Sequence, residues 1–522
     1  LMVETMFEMP LDPAGVPRGR AMIERAEWAA RAFATYDSAT VQRIVDAAAA
    51  AGAARAKEFA EWAVRETGYG VVEHKVLKNL ACSTGIAAKY SASDYVDVVV
   101  DAADKMVEVP RPAGVVLALT PSTNPVATVM FKIMLALLTR NAIVISPHPY
   151  AKGVCVEAAR TMAAAAIAAG APDGCIQVVE EPSIPLINAL MTDPRTDVIL
   201  ATGGTPMVRA AYRSGNPAIG VGPGNVPVLV DASADVNAAA QRIVDSKSFD
   251  NSILCTNESV LIVEDSVAPA LLNAMTRAGA HLLSDDERDR VRDLVFPDGQ
   301  FDAQWVGKDA TAIAAAANIR VNPRTKVLLA PFDLVVPEEP LAHEKLCPVL
   351  GLVRVANVGR GIDAAQAVLR ITGQGHSAAI HSTNPQTIMA FSAAVRVLRV
   401  SVNVGNSLGS SGIETNLAPT MTIGTGFLGR SSVGENLEPK HLVNWTRIAY
   451  NADASVPMGD FSGLSPWHAP HGEVPAYPRA SNESNAAPLV PPTSAAAAGA
   501  PDELRDEIRR LIIEELNAIV RG

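Results

Sequence analysis

The sequence is poor in the features that would assign it quickly, and each absence narrows the choice. Its five cysteines, Cys82, Cys155, Cys175, Cys255 and Cys347, are scattered through 522 residues with no CxxC pair. An odd, dispersed set does not make a disulfide framework, so a reducing cytoplasm is the expected setting. The histidines lack ligand spacing and HEKLC is not HExxH, so no zinc site is expected. Lys and Arg form no cluster and the net charge is -11 at pH 7, which argues against a nucleic-acid partner. No apolar run approaches the ~20 residues of a membrane span. The stretch from Ala163 to Ala169 stops at Gly170 and Pro172. The opening LMVETMFEMPLDPAG carries acids and prolines in place of a basic and then apolar leader, so no secretory signal is expected.

What is present is a large apolar fraction, 49%, in a chain long enough for two or more domains. From about Arg20 to Val107 the sequence is alanine-rich with helical periodicity, which predicts a helical N-terminal layer. After Pro112 short β-rich runs (GVVLALT, NAIVISP, DVILATGG) alternate with helical stretches such as Phe131 to Leu138, the pattern of a parallel α/β sheet. A second α/β region is predicted with strands at Ser259–Val263, Lys326–Leu329, Leu350–Val355, Ala378–His381 and Arg399–Val404. Residues 462–500 are crowded with Pro, Ser, Ala and Gly and read as a flexible linker, after which 501–522 recovers helical periodicity.

Among candidate chemical residues, Cys82, Cys155 and Cys175 read as small buried hydrophobes. Cys255, in FDNSILCTNE just before a predicted strand, lies where a thiol faces a cleft. Asn124 closes the polar turn of TPSTNPVATVMFKIM between a strand and a helix. It reads either as a turn or capping residue or as an amide aimed at developing oxyanion charge.

Six segments in order, TPSTNP, RNAIVISPHP, LATGGTPMVRAAY, GVGPGN, FDNSILCTNE and HEKLCPVL, resemble the aldehyde dehydrogenase superfamily. They are most similar to its CoA-acylating branch and to the aldehyde dehydrogenase half of the bifunctional aldehyde-alcohol dehydrogenases, over roughly Arg20 to Tyr450. The resemblance implies an α/β fold with a Rossmann-like cofactor domain, a catalytic domain and an oligomerisation arm. It assigns Cys255 as nucleophile and Asn124 as oxyanion donor beside the Cys255 N–H. Cys255 would carry a thioester after hydride leaves for NAD. His376 in TGQGHSAA is a candidate for handling thiol protons, because imidazole titrates near neutrality.

At Gly220–Val226, GVGPGNV, hydrolytic relatives resemble an ELGGK-type segment whose Glu activates water. No carboxylate stands here, so coenzyme A is expected as acyl acceptor, and a Glu restored at Asn225 or a neighbour is expected to revive hydrolysis in part. The spacing of Gly220, Gly222 and Gly224 mimics a dinucleotide fingerprint but leads into the strand VPVLV, so that fingerprint is rejected. The pyrophosphate is assigned to Thr202, Gly203, Gly204 and Thr205, which follow a strand and open a helix. By resemblance, Gly222 also lines the cofactor site, His148 meets the adenosine ribose and Glu344 the nicotinamide ribose. NAD is preferred to NADP because no Arg follows SPHP, although Lys152 is close.

The expected domains are 1–235 (helical layer and NAD-binding domain), 236–425 (catalytic domain), 426–461 (return segment and oligomerisation arm), 462–500 (linker) and 501–522 (targeting helix). The expected substrate is a short-chain aldehyde of the acetaldehyde or propionaldehyde type. The alternatives are an acylating sulfoacetaldehyde dehydrogenase, a hydrolytic enzyme giving free acid, and a non-catalytic scaffold. In the tail, Leu504, Ile508, Leu511, Ile512, Leu516, Ile519 and Val520 form one apolar helical face behind acidic first turns. Behind a long linker, such a helix resembles the encapsulation peptides of bacterial microcompartments. That resemblance implies shell proteins as partners of 501–522, a place in the compartment lumen, and alcohol dehydrogenase and phosphotransacylase beside a homo-oligomeric enzyme.

Overall fold

The computed structural model describes residues 15–471 and residue 477. The N-terminal layer is helical, with helices Gly15–Phe33, Ser38–Ala54, Ala56–Thr67 and Val72–Leu80. It ends sooner than its composition suggests. Strands β1 (Val99–Asp101) and β2 (Met106–Pro112) pair antiparallel, so the helical reading as far as Val107 is corrected. The reason is local: VDVVVD is β-branched, and Asp101 Oδ1 accepts from the N–H groups of Ala103 and Asp104, fixing a tight turn.

Next comes a parallel five-stranded sheet of β3 (Val115–Thr120), β4 (Ala142–Pro147), β5 (Ile176–Val178), β6 (Val198–Ala201) and β7 (Ala218–Gly220), in the order β5-β4-β3-β6-β7. The helix Pro125–Leu138 between β3 and β4 is apolar on all sides, and every one of its residues is buried. Its one cation, Lys132, donates to the carbonyls of Leu119 (2.8 Å) and Leu200 (2.9 Å). It thus ties the carboxyl ends of β3 and β6 together where the strand order reverses, the place where open α/β sheets form a ligand crevice.

A second parallel sheet has seven strands: β8 (Val226–Val230), β9 (Glu258–Glu264), β10 (Ala280–Leu282), β11 (Val327–Pro331), β12 (Val349–Val355), β13 (Ala378–His381) and β14 (Val400–Val402). Their order is β10-β11-β12-β9-β8-β13-β14. Because β8 belongs to this sheet, the boundary expected at 235 falls before Val226. Strand β15 (Val443–Ala449) returns to pair antiparallel with β2, completing a three-stranded sheet.

The segment expected to be a free linker from 462 is held to the body in its described part. The Arg140 guanidinium lies 4.3 Å from the Trp467 ring centroid, and His468 exchanges backbone hydrogen bonds with Thr35 and Asp37. The apolar helix expected at 501–522 lies outside the described residues. Among the described residues, no helix is long and apolar enough to cross a membrane.

Candidate active site

The two parallel sheets present opposite edges to the site. Asn124, His148 and Thr202 follow β3, β4 and β6 at the carboxyl edge of the five-stranded sheet. Asn225, Cys255, Glu344, His376 and Arg399 precede β8, β9, β12, β13 and β14 at the amino edge of the seven-stranded one. Contacts join the edges. Thr202 Oγ1 meets Thr422 Oγ1 at 3.2 Å, and Gly222 packs on the Thr425 side chain.

Of the five cysteines, only Cys255 is partly exposed. The loop before it is held under strain: Asp250, Asn251 and Ser252 all adopt left-handed φ, 48°, 52° and 66°. Asp250 accepts from the Val71 N–H (2.6 Å), from Lys75 Nζ (3.1 Å) and from Lys78 Nζ, and its own N–H donates to His74 Nδ1 (2.8 Å). Asn251 donates to Gly307 O and Asp309 Oδ1. Asn257 Oδ1 takes the Leu254 N–H at 2.7 Å. Gly224 closes the other flank, so near that a Cβ there would stand 2.1 Å from the Cys255 carbonyl oxygen.

Burial, reinforced by the Glu344 carboxylate, pushes the Cys255 thiol up to about 12, against the opposing pull of Arg399 and of the Cys255 N–H. Burial likewise lifts Glu344 to about 7, with Lys247 and Lys345 opposing. Arg399 is buried and stitches the surrounding loops. It donates from Nε to Asn436 Oδ1 (2.7 Å), from one terminal nitrogen to the His376 carbonyl (2.8 Å), and from the other to the Gly424 carbonyl.

Asn124 flanks the helix Pro125–Leu138 with φ -129°, and its side chain makes no capping bond, so the capping reading fails. Its Oδ1 accepts from Lys78 Nζ at 2.6 Å, while its Nδ2 has only a long contact of 3.3 Å to Thr123 Oγ1. Lysine can only donate, which fixes the amide with its NH2 turned away from Lys78.

In the turn Thr202-Gly203-Gly204-Thr205, Thr202 is half-buried and the other three residues are exposed, and a Cβ on Gly203 would meet nothing within 4 Å. The helix Thr205–Arg213 that it opens has no side-chain cap and Pro206 in its first turn. Its uncapped N–H groups therefore fit a pyrophosphate. His148 stacks on Tyr150, accepts the Tyr150 N–H at Nδ1, and is held neutral by burial, which pushes it down to about 4. A neutral ring there suits a ribose rather than a phosphate. His376 departs from expectation. It is fully enclosed, and burial with Arg399 beside it pushes it down to about 3, so it does not titrate near neutrality. Its Nε2 has no partner.

A groove of 570 Å³ is lined by Asn251 of the turn before Cys255 and by Ser407 and Leu408 of the helix Asn406–Ser410, but not by Cys255 itself. The residues that sequence reasoning missed are Lys75, Lys78, Asp250 and Arg399. Lys75 and Lys78 look like one turn of a solvated helix face until the fold buries them. Arg399 gave one signal, a cation set directly against a β-run.

This architecture, with a partly exposed cysteine at the amino edge of one parallel sheet and an uncapped helix start at the carboxyl edge of another, has known counterparts. The aldehyde dehydrogenase family model matches residues 14–415, and the chain belongs to that family. It is 38% identical over 439 residues to the bifunctional aldehyde-alcohol dehydrogenase of Escherichia coli, covering 83% of this chain and 49% of that protein. The chain therefore spans about half the length of that relative. It is 36% identical to the acetylating succinate-semialdehyde dehydrogenase of Clostridium kluyveri, covering 84% of this chain and 97% of that one. Among solved structures, an acetylating aldehyde dehydrogenase from Geobacillus thermoglucosidasius superposes with a TM-score of 0.83 at 36% identity, covering 85% of this chain and 98% of that one. A propionaldehyde dehydrogenase from the fucose utilisation microcompartment of Clostridium phytofermentans gives 0.76 at 28% identity, covering 82% and 96%.

Proposed function

We propose that the protein oxidises a short-chain aldehyde and passes the acyl group from Cys255 to coenzyme A. The observation that carries this reading is Gly224, whose backbone occupies the flank of Cys255 in a segment, 220–226, without a carboxylate. Cys255 Sγ loses its proton and attacks the aldehyde carbon, and the carbonyl oxygen becomes an oxyanion facing Asn124 Nδ2 and the Cys255 N–H. The Thr202–Thr205 turn, His148 and Glu344 would hold NAD, which would accept the hydride expelled from the aldehyde carbon as the adduct collapses. Collapse of the adduct leaves a thioester on Cys255. With no base in 220–226 to activate water, the coenzyme A thiolate attacks that thioester, releasing acyl-CoA and restoring the Cys255 thiolate.

NAD is preferred to NADP because the nearby cation, Lys152, is engaged by Glu181 at 2.6 Å. A homo-oligomer is proposed through the exposed sheet that carries β15. Placement in a microcompartment lumen, with shell proteins gripping 501–522 and alcohol dehydrogenase and phosphotransacylase recycling the cofactors, rests on the apolar face of the tail. The named setting of the C. phytofermentans relative agrees with it. The chemistry is tested by Cys255→Ala, which should abolish NADH formation with the fold intact. Wild-type turnover in that variant would refute it. The address is tested by fusing 501–522 to a fluorescent protein in shell-producing cells: capture supports it, and diffuse fluorescence counts against it.

A further inference from the structure

The oxyanion reading of Asn124 leaves open what sets the direction of its amide, since an asparagine can present either oxygen or nitrogen to the cleft. Three elements meet behind it. The helix Val72–Leu80 carries Lys75 and Lys78, whose side chains are 4% and 1% exposed. The strained turn before Cys255 supplies Asp250, whose carboxylate is fully buried and bonded to both lysines. The turn after β3 supplies Asn124, whose Oδ1 takes the remaining reach of Lys78 at 2.6 Å, while Lys75 also reaches the Thr123 carbonyl at 3.3 Å. A cation this deep needs its partners, and Lys78 has one on each side of the site. Gly70, with φ 93°, makes room for the cluster: a Cβ there would stand 2.5 Å from Lys75 Cε and 2.7 Å from Asp250 Oδ1.

We infer that Lys78, anchored by Asp250, is a positioning residue: it turns the Asn124 NH2 toward the oxyanion and sets its distance from the loop that carries Cys255. The inference rests on the oxyanion role proposed for Asn124. Lys78 touches no reacting atom. It acts because the ammonium accepts nothing, so Oδ1 must face it, and because the same ammonium is bound to the nucleophile's own loop. Nucleophile and oxyanion donor are thereby indexed to one point, the kind of preorganisation on which fixed-donor catalysis depends.

The test is a mutant cycle in the full-length enzyme, reading kcat, the aldehyde KM and NAD affinity for Lys78→Met, Asn124→Ala and the double variant. Lys78→Met should lower kcat roughly tenfold or more, as expected for a displaced donor, with KM and NAD affinity within about twofold of wild type. In the double variant the loss should be no greater than in Asn124→Ala alone, because the lysine acts through the asparagine. Multiplying losses, or a wild-type kcat in folded Lys78→Met, would overturn the inference while leaving Asn124's role standing. A wild-type kcat in Asn124→Ala would remove the oxyanion reading and the inference with it. Lys78→Met leaves Asp250 paired with Lys75, so the buried charges still balance; if the variant nonetheless fails to fold, Lys78→Gln keeps a side-chain donor for Asp250 but, because an amide can accept as well as donate, no longer forces Asn124 Oδ1 to face it. Lys78→Gln should show a kcat loss of the same direction with KM unchanged, and wild-type kcat in it would equally overturn the proposal.

Discussion

Gly224 lies against the carbonyl of Cys255 with no room for a side chain; a Cβ would stand 2.1 Å from the oxygen and 3.1 Å from the carbonyl carbon. Backbone meets backbone here, so a flexible side chain cannot absorb the clash. Gly224→Ala should displace the nucleophile, lowering kcat about 100-fold, the scale of an ångström of misplacement. It should also cost about 1–3 kcal/mol of stability. Kinetics and thermal unfolding check both.

The thiol of Cys255 is pushed up to about 12, first by burial and then by Glu344. Because a raised thiol value disfavours the thiolate, alkylation of Cys255 by iodoacetamide should quicken with each step in pH from 7 to 9 without a plateau. Glu344→Gln removes the negative neighbour that helps to raise the thiol and should speed alkylation at fixed pH. A plateau below pH 8 would contradict the burial argument.

Lys152 is paired with Glu181 at 2.6 Å, with the two side chains 40% and 66% exposed. Such a surface pair is worth at most ~1 kcal/mol. Glu181→Gln should therefore release Lys152 to meet a 2'-phosphate and tighten NADP by about fivefold at most, with NAD nearly unchanged. Titration of both nucleotides measures it. Equal changes for the two would show that Lys152 does not face the ribose.

Asn225 is one of the positions at which a restored Glu is expected to revive hydrolysis in part. The structure points the other way. Asn225 is 1% exposed, and its amide donates to the carbonyls of Ala342 (3.0 Å) and Val368 (3.2 Å). A carboxylate there would face two acceptors without water, so Asn225→Glu should cost about 3 kcal/mol or more and yield no free acid. Denaturant unfolding and product analysis check it.

Much of the fold was legible in the sequence because its strands are short apolar runs bounded by turn residues. The predicted strands at Ala378–His381 and Leu350–Val355 match β13 and β12 almost residue for residue. The β1–β2 pair was not legible, because alanine-rich composition upstream masked a short valine alternation. Cys255, Asn124 and the Thr202 turn stand out in sequence since each borders a strand pattern, Asn124 and Thr202 following one and Cys255 preceding one. Lys78 and Asp250 do not, because their meaning depends on two positions 172 apart in the chain being folded together. For His376 the residue type was visible but its enclosure, which removes neutral-pH titration, was not.

The central claim is that Cys255 gives its acyl group to coenzyme A and not to water. It is tested most directly by following NADH from a short-chain aldehyde with and without coenzyme A, while the products are identified by mass. The account predicts about one NADH per Cys255 and a mass-shifted acyl-enzyme without coenzyme A, and sustained turnover to acyl-CoA once it is added. Rapid, continuous formation of free acid in its absence would contradict it.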